Sequence, residues 1–131
     1  MTKNEAIRQI RQAKSAHIRW RALVQAMVAG LESARDKAPV HHKDCDFGQW
    51  FHRDCFKIFG HWRLYQDVDY AHELMHEVYA LLHRAYRDGD AERAEQLAAH
   101  LIGLSHSLLE LMALFEEEII TSEIDDFLET P

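Results

Sequence analysis

Three stretches of this chain repeat their apolar residues every three or four positions for several helical turns, and that periodicity constrains the fold more than anything else in it. From residue 4 to 33 the stripe runs Ile7, Ile10, Lys14, His17, Arg21, Val24, Met27 and Leu31, with Trp20 on its shoulder. From about Asp67 to Arg87 it runs Val68, His72, Met75, Tyr79, Leu82 and Tyr86, widened by His76 and His83. From about 91 to 122 it runs Ala94, Leu97, Leu101, Leu104, Leu108, Leu111, Phe115 and Ile119. Such spacing gathers side chains on one face of an α-helix, whereas a strand would scatter them over both faces. Five glycines and two prolines are too few turn-formers for a many-stranded sandwich or barrel.

The punctuation between the stripes fits the same reading. Asn4 is the expected N-cap of the first helix, and Gly30 with the charged Glu32–Lys37 segment marks its end. Residues 34–44 form a polar connection that contains Pro39 and His41-His42-Lys43. A short helix or turn pair is expected over 47–59, built on Phe47, Trp50, Phe51, Cys55, Phe56 and Phe59 and closed by Gly60. Asp88-Gly89-Asp90 separates the last two long helices. The expectation is one all-α domain over 1–131, an antiparallel bundle of three long helices and one short one, with an acidic tail at about 120–131. Apolar residues make up 47%, enough for a real core.

Charge narrows the class of partner. A net charge of −7 argues against a nucleic-acid footprint, which needs a basic face. Residues 1–89 carry 14 basic and 11 acidic groups, and 90–131 carry 1 and 11. That acidic last helix and tail read either as a solvated face or as a docking surface for a partner. The N-terminus lacks a signal-peptide core, and no stretch approaches the roughly 20 apolar residues that span a bilayer. The longest uncharged run, Gln96 to Leu109, is broken by His100, Ser105, His106 and Ser107. With two cysteines there is no disulfide framework, so a soluble, reducing, cytoplasmic setting without membrane attachment is expected.

The chemistry lies in the histidines, of which there are ten. His17 and His72 stand at stripe positions where an apolar residue belongs, and His76 follows His72 by one turn. An i,i+4 pair projects two imidazoles from one helix face, which is how a helix gives two ligands to one metal. On spacing alone the pair reads rather as two partly buried histidines satisfied by hydrogen bonds.

Three motifs in order point further: His17-Ile18-Arg19-Trp20, then Cys45-Asp46-Phe47-Gly48-Gln49-Trp50, then His72-Glu73-Leu74-Met75-His76. Over roughly residues 14–83 the chain resembles the chemoreceptor zinc-binding (CZB) domain family, small bacterial helical domains attached to chemotaxis receptors and diguanylate cyclases. The resemblance implies a zinc site inside the bundle, with His17, Cys45, His72 and His76 as ligands. Cys plus three His suits tetrahedral Zn2+, and a thiolate with three neutral imidazoles leaves the site near +1. Four protein ligands leave no open position, so no hydrolytic chemistry is expected and the chain is read as a binding protein, not an enzyme. Gly48 is expected to let the chain turn beside the ligand, and Trp20 and Trp50 to wall the site. Asp69 is placed to orient the free nitrogen of His72, or else to be a solvated charge. Asp44 and Asp46 flank the thiol and would raise its pKa before metal binds. His83 is assigned a surface or bordering position. Cys55 reads as a buried hydrophobe, the remaining histidines as surface or rim, and Glu116-Glu117-Glu118 as a solvated turn.

What the resemblance implies about function is a zinc-binding regulatory domain, homodimeric in that family, which responds to zinc occupancy or to oxidation of its zinc thiolate. Nothing in the chain is long enough for a cyclase or a signalling coiled coil, so the output, a diguanylate cyclase or chemoreceptor-type partner, is expected in trans. Two other readings compete. A hemerythrin-like di-iron bundle would need a His-x-x-x-Glu ahead of the His pair, and the only such spacing, His106–Glu110, comes after it. A non-catalytic dimerising scaffold would make every histidine structural.

Overall fold

Thr2, not Asn4, caps the first helix. Its hydroxyl accepts from the Glu5 N–H at 3.2 Å while the Glu5 carboxylate accepts from the Thr2 N–H at 3.0 Å. That reciprocal pair needs an acidic residue three positions on, which Thr2 has and Asn4, followed by Ile7, does not. The helix, α1, spans Lys3–Val28 and Gly30 leaves it at φ +79, in the left-handed region that terminates helices. The structure is a computed structural model and describes residues 1–30, 39 and 41–128. α1 thus ends short of the expected residue 33, and the Glu32–Lys37 boundary and most of the connection lie outside the described residues.

Residues 46–59 are helical throughout: α2 is Asp46–Trp50, a π-helical turn covers Phe51–Cys55, and α3 is Phe56–Phe59. In the π turn the Phe51 carbonyl accepts from the Phe56 N–H five residues on and from the Tyr65 hydroxyl at 2.7 Å. Tyr65 also lies flat on Phe51, with ring centroids 4.0 Å apart, so the widened turn is held by a buried aromatic from the next helix.

That next helix, α4, spans Arg63–Arg87 and begins four residues before the expected Asp67. Trp62 is extended and provides the start, and the buried Tyr65 belongs to the first turn. Asp90 caps α5, Ala91–Thr121, by accepting from the Arg93 N–H at 3.2 Å. Among the described residues the protein is all-helical, with one isolated backbone bridge, Thr2 to Asp126.

The core forms where α4 and α1 each pack on α5. α5 buries Leu97, Leu101, Ser105, Leu108, Met112, Phe115 and Ile119, so Ser105 and Met112 occupy the inner face and Leu104 and Leu111 flank it. By length and composition α5 is the one helix among the described residues long enough and apolar enough to cross a membrane, contrary to the expectation that no stretch approaches this. Only 22% of that apolar stretch is buried against the neighbouring helices, and Leu114 is exposed. Glu116 is not a solvated charge: Arg11 Nε lies 2.6 Å and Lys14 Nζ 3.4 Å from its two oxygens, tying α1 to α5 and holding its carboxyl below the usual range. Glu117 and Glu118 are exposed. After α5 the acidic segment returns to the start of α1. The Phe127 N–H donates to Met1 O at 2.7 Å and the Lys3 N–H to Asp125 O at 3.0 Å, and the Phe127 ring is buried on Phe59 and Trp62.

Candidate metal centre

Cys45 enters the site as a helix cap. It is extended (φ −70, ψ 162) at the N-terminus of α2, and its Sγ accepts from the Gly48 N–H at 3.2 Å. A thiol so placed meets free backbone N–H groups and the positive end of the helix, which favour the thiolate. Burial opposes this and is the larger effect, raising the Cys45 pKa, with Asp46 adding to the rise.

Gly48 is required by closeness, not by an unusual turn. It sits in regular helix, and a Cβ there would fall 1.8 Å from the His42 carbonyl oxygen. The His42–Cys45 turn is thus pressed against α2, and the carbonyl of His42 also lies 3.5 Å from the Cys45 sulfur.

Across from Cys45, α4 presents His72 and His76 from one face, 1% and 8% exposed. His72 Nε2 is 3.3 Å from Cys45 Sγ, and one ligand atom from each of Cys45, His72 and His76 lies within 4.8 Å of the others. With metal–sulfur and metal–nitrogen bonds of about 2.3 and 2.0–2.1 Å, a tetrahedral zinc site has S···N edges of about 3.5 Å. Cys45 and His72 stand close to that separation, and His76 lies within 4.8 Å of both. Burial, reinforced by His76, holds the His72 pKa at about 2, so its ring is the neutral, ligating form. His72 Nδ1 is buried and has no hydrogen-bond partner in the protein.

His17 lines the same cavity of about 80 Å³, together with Trp20, Cys45, Phe47, His72 and His76. It is 4% exposed, and burial followed by Arg21 and His76 holds its pKa at about 4. Its Nε2, however, is 2.8 Å from the Ser105 hydroxyl of α5, which also accepts from Arg21 at 3.2 Å. The fold thus joins Cys45, His72 and His76 directly and brings His17 to the wall beside them. Trp20 lies between the two helices, stacked at 6.0 Å on His17 and 5.8 Å on His76.

Three expected neighbours are placed otherwise. Trp50 does not wall the cavity. Its indole N–H donates to Gln9 at 2.7 Å, and the ring on His72 is that of Phe47, at 4.6 Å. Asp69 faces His52, not His72, with Oδ1 3.2 Å from Nε2. His83 is buried, on the Tyr79 ring at 6.0 Å, and does not line the site. Cys55 is fully buried, as expected of a small hydrophobe, and His41, His61, His100 and His106 are exposed. His42 and His52 are half-buried instead. Ser105 was the residue least visible beforehand. Its one signal is its place three residues before Leu108 and four after Leu101, on the inner face.

A family model, the chemoreceptor zinc-binding domain, matches residues 17–82, from His17 through both motifs that follow. Comparison with curated proteins and with solved structures gave no match.

Proposed function

The chain belongs to the chemoreceptor zinc-binding domain family, and we propose on that footing that it is a zinc-binding signalling domain whose ligands are His17, Cys45, His72 and His76. The observation that carries this is the meeting of one thiol and two imidazoles, the thiol from one segment and the imidazoles from another, within 4.8 Å of one another. Zinc bound there supplies a positive charge that keeps the thiol ionised and clamps the segments together. The residues do the rest. Gly48 N–H holds the sulfur, Phe47 and Trp20 exclude water, and Ser105 holds the His17 ring beside the three donors.

A site that closes with four protein ligands binds and does not turn over substrate, so the chain is read as a regulator and not an enzyme. Its helices act as one antiparallel bundle in which zinc occupancy and packing are coupled: losing the ion frees the Cys45 turn from α4. A second input is oxidation, in which the Cys45 thiolate takes oxygen from hypochlorous acid, forming a sulfenic acid and releasing chloride. We read the domain as a cytoplasmic homodimer that passes its state to a chemoreceptor-type or diguanylate cyclase partner in trans. The hemerythrin-like alternative fits less well, because the Cys45 group among the described residues includes a thiol and no bridging carboxylate.

The test is metal content after gel filtration, with Co2+ as a spectroscopic probe. One tightly held zinc per chain and a thiolate-to-cobalt charge-transfer band are expected, and both vanish in Cys45→Ala and in His72→Ala while circular dichroism stays helical. His17→Ala weakens the tight site. Retention of the band in Cys45→Ala would reject the assignment.

A further inference from the structure

Beside the Cys45 pocket, a second set of metal donors converges from three other positions. His42 lies in the turn before Cys45, His52 in the π-helical turn, and Asp69 on α4 one turn ahead of His72. One ligand atom from each lies within 4.8 Å of the other two. The His42 ring is edge-on to His52 at 5.3 Å, and 6.0 Å from His72.

An ion pair does not account for this cluster. His52 Nε2 and Asp69 Oδ1 are 3.2 Å apart, yet both are buried atoms without a hydrogen-bond partner, so the contact is close but misaligned. Leaving two polar atoms buried in this way is costly. Burial also lowers the His52 pKa despite the attraction of Asp69, which leaves a neutral imidazole lone pair opposite a carboxylate oxygen. What satisfies both at once is a cation between them. The π turn is the local device that sets His52 there, since the wider turn rotates the following side chains relative to an α-helix.

We propose that His42, His52 and Asp69 form a second site for a divalent transition-metal ion, separate from the Cys45 site. Two imidazoles and one carboxylate are borderline donors that select zinc, cobalt, nickel or iron(II) over magnesium and calcium, which prefer all-oxygen shells. Three protein ligands leave coordination positions for water, and the side chains of His52 and Asp69 are 16% and 36% exposed around their buried donor atoms. With no thiolate and with a cationic site next to it, this site binds more weakly than the first.

Titration of the metal-free protein with Zn2+ by calorimetry, and with Co2+ by absorbance, tests it. The wild type takes up two equivalents, one tight and one weaker by tenfold or more. His52→Ala and Asp69→Asn each lose the weaker equivalent and keep the thiolate-to-cobalt band, whereas Cys45→Ala loses the tight equivalent and the band but keeps the weaker one. The Cys45 variant separates failure of one site from failure of the other. A single equivalent in the wild type, or a second one that survives both His52→Ala and Asp69→Asn, would overturn the proposal.

Discussion

Substituting Gly48 with alanine sets two opposed effects against each other. Alanine is the better helix former by about 1 kcal/mol, so on propensity alone Gly48→Ala stabilises α2. The structure reverses the sign. The new Cβ would stand 1.8 Å from the His42 oxygen, 2.9 Å from the His42 carbonyl carbon and 3.0 Å from that of Lys43, all backbone atoms. The turn must retreat by more than an ångström, and the Gly48 N–H loses its 3.2 Å bond to Cys45 Sγ as it does. Overpacking of this kind costs about 1–3 kcal/mol and the lost hydrogen bond about 1 more, for a net destabilisation of about 1–3 kcal/mol. In a domain of this size that lowers Tm by roughly 5–10 °C. Thermal unfolding of the metal-free protein measures it, and competition with a chelator should show zinc held at least tenfold more weakly. Gly103→Ala is the internal control. Gly103 is exposed in the middle of α5 with nothing within 4 Å of a Cβ, so this change should raise stability by about 0.5–1 kcal/mol. If Gly48→Ala also raised Tm and left zinc affinity unchanged, the close approach of the His42 turn to α2 would be refuted.

Two further outcomes follow from the site. His17 has its folded pKa lowered from 6.5 to about 4, so the unfolded chain binds the extra proton first; stability is full above pH 6.5 and falls as pH drops towards 4. The loss from His17 alone by pH 5 is about 2 kcal/mol, read as Tm of the metal-free protein at pH 7 and pH 5, and a flat profile would contradict it. Zinc should leave over the same range, since protons compete for the imidazoles and the thiolate. Ser105→Ala removes the hydroxyl that both His17 and Arg21 hold. It should cost the metal-free protein about 1–3 kcal/mol, measured by denaturant unfolding, and an unchanged midpoint would mean that the hydroxyl is dispensable.

The helices were legible in the sequence because an amphipathic stripe is a local property, set by spacing along the chain. The first cap was misplaced at Asn4 because residue type alone does not mark a cap; the Thr2–Glu5 spacing of a reciprocal pair was the signal that the sequence held. The π turn at Phe51–Cys55 left no periodic trace, because it depends on Tyr65 reaching back to the Phe51 carbonyl. The early start of α4 was hidden for the same reason.

By itself, then, the sequence determined an all-helical chain, ordered His17, Cys45, His72 and His76 along it, and placed His72 and His76 on one helix face. These follow from covalent order and helical period, which need no knowledge of the neighbours. Only the tertiary structure decided which imidazole meets the thiol, that His17 Nε2 turns to Ser105, and that Asp69 faces His52 instead of His72. It also decided why position 48 must be glycine: the clash is with a carbonyl six residues back that comes close only when the turn folds onto α2. Those are contacts between segments, fixed by which faces the helices bury against one another, and no spacing within a single segment encodes them.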